Sequence, residues 1–127
     1  MKALMALAAA ATLAAAPIYA DCPYPSGPKS VPNGTTASLD EMLAMKKAVK
    51  QYDDDTSSYL SCIQREHDTK LADMSQKMTD KQKADMKADL DRIEADRHNA
   101  ALSALQTVAD KFNEQVRAYK AKNSPKQ

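Results

Sequence analysis

From Thr35 to Ser124 the chain contains neither glycine nor proline. A stretch of about 90 residues without these breakers, rich in Ala, Lys, Asp, Met, Leu and Gln, predicts helix. The stretch also carries its own punctuation. Ser38-Leu39-Asp40-Glu41 has the form of a capping box, in which the serine hydroxyl accepts from the Glu41 amide and the glutamate reaches back. Met42, Met45, Val49, Tyr52, Thr56, Tyr59 and Ile63 then fall at alternating spacings of three and four, the period of one buried helical seam. Leu39, Leu43 and Leu60 widen that stripe.

A second capping box stands at Thr79-Asp80-Lys81-Gln82. Just before it, residues 73–78 lose the stripe, which places a turn at 73–79. A second seam follows through Met86, Leu90, Ile93, Ala101, Leu105, Val108, Phe112, Val116 and Tyr119, with Ala100 and Ala104 beside it and Arg97 interrupting it. The expected fold is all-α. Two long antiparallel helices, about 38–72 and 79–122, form a hairpin over 38–122, and residues 123–127 form a disordered tail. One unbroken helix in a dimeric coiled coil is the competing reading. The lapse of the stripe where the second cap appears favours the hairpin. A lone hairpin buries a single seam and needs further support, from a strap or from a homodimer that makes a four-helix bundle.

Composition locates the rest of the apolar content. The chain is 43% apolar overall, yet nearly a third of those residues lie in the first twenty. Lys2 is followed by an apolar stretch from Ala3 to Ala16, then Pro17-Ile18-Tyr19-Ala20. This is the pattern of a secretory signal peptide over residues 1–20, cleaved between Ala20 and Asp21, with Ala16 offering a second site. No later stretch is apolar enough to span a membrane. The expected location is periplasmic or secreted, in a bacterium.

Export makes a disulfide the default state of the two cysteines, Cys22 and Cys62. The reach is sufficient. Cys62 lies roughly 36 Å along a helix that starts at Ser38. The intervening segment extends about 50 Å in a polyproline-like form. Residues 21–37 hold Pro23, Pro25, Pro28 and Pro32 and both glycines, so helix and central strand are disfavoured there. They read as an extended strap folded back along the first helix, with Asn33-Gly34 as a turn signal. Closing such a loop stabilises a fold by roughly 3–4 kcal/mol in the chain-entropy model. Pairing between two chains is the alternative.

Several function classes find no support. With Lys2 set aside, 17 basic and 17 acidic side chains balance, and no phosphate-tracking stripe appears, so nucleic acid is not an expected partner. No Cys-x-x-Cys, His-Glu-x-x-His, Gly-x-Ser-x-Gly or phosphate loop is present, so no catalytic constellation, metal site or cofactor is assigned. His67 and His98 fall at different distances from the turn. Asp53-Asp54-Asp55 lacks the glycine loop of a calcium site and reads as a solvated face. Met42/Met45 and Met74/Met78 have the spacing of thioether pairs that can bind Cu(I), but methionine more often fills cores.

Several segments together resemble a set of small, uncharacterised exported proteins of proteobacteria. They are Cys22-Pro23, Val31-Pro32-Asn33-Gly34, Ala37-Ser38 before Met42, Tyr59-Leu60-Ser61-Cys62, His98-Asn99-Ala100-Ala101 and the run from Phe112 to Tyr119. The resemblance implies an exported helical protein and brings no activity. Met78-Thr79-Asp80-Lys81-Gln82 is similar to the Leu-Thr-x-x-Gln motif of periplasmic helical stress chaperones, in one copy with Met for Leu. The expected function is binding or structural contact with a periplasmic or envelope protein, through the helix faces and Tyr24, Tyr52, Tyr59 and Tyr119. A stress-chaperone role and methionine-based copper binding are the alternatives.

Overall fold

A computed structural model describes residues 22–125 of the chain. The expected signal peptide, residues 1–20, and the Ala20–Asp21 cleavage site lie outside the described residues, as do residues 126–127.

Two helices, α1 (Leu39–Ala72) and α2 (Asp80–Asn123), pack against each other as a hairpin. Both begin at the caps the sequence proposes. Ser38 Oγ accepts from the Glu41 amide at 3.2 Å, and the Ser38 amide donates to Glu41 Oε2 at 2.7 Å. Thr79 and Gln82 make the same reciprocal pair at 3.2 and 2.8 Å. Each cap satisfies amides that the first turn leaves without a helical partner, typically worth about 1 kcal/mol. Between the helices the Met78 amide donates to the Ser75 carbonyl at 3.0 Å, which closes the turn. At the far end α2 runs one residue beyond its expected limit. Asn123, expected in a disordered tail, is helical, and its side-chain amide donates to the Tyr119 carbonyl at 2.8 Å.

The α1 stripe is the seam. Met42, Met45, Tyr52, Thr56, Tyr59 and Ile63 are all buried. Thr56 tolerates burial because its hydroxyl donates to the Tyr52 carbonyl one turn earlier, at 2.7 Å. On α2 only Ala101 and Phe112 are fully buried. Met42 and Met45 pack on Phe112 at the end where the chain enters and leaves the hairpin. Tyr59 and Ile63 pack on Ala101 near its middle.

Four large apolar residues depart from the expected stripes, as does the smaller Ala100. Leu43 stands about 100° round the helix from Met42, clear of α2. Leu39 lies one turn before it on the same outer side. They are 48% and 55% exposed. Met86 and Ile93, expected in the α2 seam, are each 42% exposed. The charged faces carry more order than their sequence suggests. Lys50–Asp54, Lys81–Asp85, Lys87–Asp91 and Arg92–Asp96 form i,i+4 ion pairs. At such exposure each contributes a few tenths of a kcal/mol.

Residues 22–37 form neither helix nor strand. They lie against both helices and run antiparallel to α1. Cys22 is bonded to Cys62, Tyr24 meets Tyr59 edge-on at 5.2 Å, and Gly27 sits over the Tyr52 ring. Five strap residues thus pass ten residues of α1, about 15 Å, so the strap advances about 3 Å per residue, close to the polyproline II rise. Val31 then packs on the Met42–Phe112 cluster, and the Gly34 amide donates to Gln115 Oε1 at 2.9 Å. The strap therefore covers Tyr52 and Tyr59, which are 4% exposed each. They are core residues and not the contact surface expected from the sequence. Tyr24 is exposed and Tyr119 half-buried.

The turn at Asn33-Gly34 is present. Asn33 Oδ1 accepts from the Thr35 amide at 2.9 Å, and the Asn33 carbonyl accepts from the Ala37 amide at 2.8 Å. No residue described has a positive φ. Gly34 is needed for proximity: a Cβ there would overlap the Gln115 carbonyl oxygen and the Tyr119 amide nitrogen, both backbone atoms of α2. At Gly27 the nearest neighbour would be the Tyr52 ring, a side chain. We predict that Gly34→Ala destabilises the protein by about 1–3 kcal/mol, the usual range for overpacking, and by more than Gly27→Ala. Denaturant midpoints of the two variants check this, and equal midpoints would contradict the close-approach account.

Candidate functional site

The first described strap residue, Cys22, is bonded to Cys62, with Cα atoms 5.7 Å apart. Beside it sits a polar cluster that joins the two helices. Arg97 Nη1 donates to Glu66 Oε2 at 3.1 Å, and Arg97 Nε donates to the Tyr59 hydroxyl at 3.2 Å. The Arg97 guanidinium also lies over the Tyr59 ring, 5.7 Å from its centre. Lys70 donates to the other Glu66 oxygen at 2.6 Å. The Lys70 ammonium, and next the Arg97 guanidinium, hold the Glu66 carboxyl below the ordinary carboxylate range. The Tyr59 hydroxyl and Glu66 in turn push Arg97 further up. Cys22 Sγ lies 3.6 Å from Glu66 Oε2, and as a disulfide sulfur it has no proton to donate.

Arg97 breaks the α2 stripe in the sequence. The structure gives the reason: it spans the helix interface beside the disulfide, and its partners come from α1. Nothing within α2 announces those partners. The only sequence signal was the charge in an otherwise apolar seam.

Beyond this cluster the groove between the helices continues to the turn, and no described strap residue lies in it. It is a cavity of about 880 Å³. Met78, Met86, Leu90 and Ile93 supply its apolar surface. Its banks carry Glu66 and Lys70 from α1, Asp73 just past its end, and Gln82, Asp85 and Asp89 from α2. Met86 and Ile93 line this groove, and none of the described strap residues covers them.

The sequence-derived candidates distribute as follows. Cys22 and Cys62 are joined within one chain. Met42 and Met45 are both buried against Phe112, so this thioether pair is core. Asp54 is taken by Lys50, and Asp55 accepts from Gln51 at 2.8 Å, as expected of a solvated face. Among the described residues no three His, Cys, Asp or Glu side chains are grouped to hold a metal ion. No helix of the described residues is long and apolar enough to cross a membrane. His67 meets Asp91 across the helix interface, with Nε2 2.7 Å from Oδ1, and its other ring nitrogen lies 3.4 Å from Asp68. The register of the hairpin was needed to find that pair.

Asp91, with a smaller contribution from Asp68, raises the pKa of His67 above its ordinary value. A base whose pKa is higher in the folded state stabilises the fold fully below its unfolded pKa of about 6.5, and that contribution is lost as pH rises through the folded value. Accordingly, the melting-temperature gap between the wild type and His67→Gln should be largest below pH 6 and shrink towards pH 8. Thermal melts across that range check it; a gap that widens with pH would reverse the assignment. Comparison with protein-family models, curated proteins and solved structures finds no match for this chain.

Proposed function

We propose that this chain is exported by a cleaved signal peptide over residues 1–20. It matures as a disulfide-locked helical hairpin and works in the bacterial periplasm or cell envelope by non-catalytic contact with another protein. The Cys22–Cys62 bond supports the location, because such bonds persist in oxidising compartments. One observation carries the contact reading: among the described residues, the apolar side chains of Met86 and Ile93 stay well exposed on the groove between the helices. A groove of apolar side chains with a polar rim is the usual form of a protein contact site.

The resemblance to small exported proteins of proteobacteria agrees with this reading. The chaperone-like alternative has the same groove as its support, and its readout is suppression of client aggregation. For copper, the Met42/Met45 pair sits in the core, which leaves Met74 and Met78 near the turn.

The test is expression of the full precursor in a Gram-negative host. We expect the protein in the periplasmic fraction, starting at Asp21 and lighter by two hydrogens than its reduced form. Crosslinking in the intact envelope should give a reproducible adduct with one other protein. Uncleaved protein with free thiols in the cytoplasm would overturn the proposal.

A further inference from the structure

The chain has four asparagines, and Asn33 differs from the other three in two ways. Asn99, Asn113 and Asn123 lie within α2, whereas Asn33 is exposed in the turn of the strap. Asn33 is also followed by glycine, which has no side chain to shield its backbone nitrogen. An Asn-Gly pair has a reaction of its own. The glycine nitrogen gives up its proton to solvent and attacks the asparagine Cγ. The new N–C bond closes a succinimide ring, and the side-chain amide leaves as ammonia. Water then opens the ring at one carbonyl to give aspartate, or at the other to give isoaspartate. The net change is one water consumed and one ammonia released, with no oxidant, cofactor or second protein.

The docked strap opposes each requirement of that reaction. The Gly34 amide donates to Gln115 Oε1 at 2.9 Å, so the nitrogen keeps its proton and is turned towards α2. Asn33 Oδ1 accepts from the Thr35 amide at 2.9 Å and the Thr35 hydroxyl at 2.7 Å, which holds the carboxamide towards Thr35. The Asn33 carbonyl accepts from the Thr36 and Ala37 amides at 3.1 and 2.8 Å, which fixes the backbone of the turn. Gly34 itself is buried against the Gln115 carbonyl and the Tyr119 amide. Ring closure therefore needs the strap to lift from α2. A modification confined to such an open form proceeds in proportion to its population. Two ties keep that population low: the Gly34–Gln115 bond at this end of the strap, and the Cys22–Cys62 bond at the other.

The two products then part company. Aspartate leaves the main chain unchanged and still offers Thr35 an acceptor oxygen. Isoaspartate routes the main chain through its own Cβ, which adds one carbon between positions 33 and 34. Gly34 sits where even an added Cβ would overlap backbone atoms of α2, so the longer chain has no room there.

We propose that Asn33-Gly34 is a self-modification site gated by the strap. While the strap is docked, Gln115 holds the Gly34 amide and the asparagine survives. When the strap lifts, the pair cyclises, and the isoaspartate that follows keeps the strap from docking again. A transient opening is thereby made permanent.

The test compares rates of loss of Asn33 near pH 8 in the oxidised protein, the same protein with its disulfide reduced, and the protein denatured in guanidinium. Peptide mapping by mass spectrometry separates the asparagine, aspartate and isoaspartate forms, with Asn99 and Asn113 as internal controls. We expect the oxidised fold to react at least about tenfold more slowly than the denatured chain, and reduction to speed the reaction several-fold. Gln115→Ala, with the disulfide intact, should speed it about fivefold, the weight of a single hydrogen bond. Circular dichroism checks that this variant keeps its helices. The purified isoaspartate form should melt well below the Asn33→Asp variant, which should stay close to the wild type. An oxidised fold that reacts as fast as the denatured chain would overturn the gating, as would rates that neither reduction nor Gln115→Ala changes. An isoaspartate form that melts with Asn33→Asp would overturn the failure to dock again.

Discussion

Two helices lying side by side share one seam, and each leaves most of its circumference in water. The hairpin here reaches a third layer only because residues 22–37 are held back against it, and the Cys22–Cys62 bond is what holds them. The strap has no ladder of backbone hydrogen bonds to keep it in place. Its contacts are the Tyr24–Tyr59 edge, the Gly27–Tyr52 contact, Val31 in the Phe112 cluster and the Gly34–Gln115 bond. Ordering an extended segment of that length costs roughly 1–2 kcal/mol of backbone entropy per residue, which scattered contacts of this kind do not easily offset. A crosslink removes part of that cost from the unfolded side of the balance. Burial of Tyr52 and Tyr59 depends on it in turn.

The level of the disulfide is also where the interface becomes polar. Arg97 replaces an apolar seam residue and is matched on three sides, by Glu66, the Tyr59 hydroxyl and the Tyr59 ring. A half-buried guanidinium in an unmatched setting would be costly. Here it closes the covered half of the hairpin and separates it from the open half. The covered half ends in side chains that are fully satisfied, and the open half begins with apolar side chains that water still reaches. His67 and Asp91 make a second polar tie across the helices at nearly the same level. The seam thus changes from apolar packing to ionic pairing within about two turns.

Much of the fold was legible because it is local. Capping boxes at Ser38 and Thr79 depend on residues three apart, and both formed. The α1 stripe depends on helical period alone, and of its seven spaced members all but the half-buried Val49 are buried. The cysteine pairing followed from reach. What could not be read is non-local. Arg97 looked like a flaw in a stripe because Glu66 and Tyr59 lie on the other helix. Tyr52 and Tyr59 looked available for contact because the strap that buries them belongs to another segment. Met86 and Ile93 satisfied the α2 period, yet whether a seam position is buried depends on what packs over it from elsewhere in the chain. Gly34 read as a turn glycine, and its turn exists, but the α2 backbone behind it decides its identity. The groove was invisible for the same reason, since its lining comes from both helices and the turn between them.

The cysteine count has a consequence for how this molecule is made. Four cysteines can pair in three ways and six in fifteen, so such chains must sort native from scrambled isomers. Two cysteines allow a single internal pairing. Oxidation therefore has no wrong monomeric product to correct, and no reshuffling step is required. The one competing outcome is a bond between chains, whose rate rises with concentration while ring closure does not. Yield of the correct fold is then a matter of dilution and of how soon the strap finds α1, both properties of the chain and its surroundings more than of any sorting catalyst.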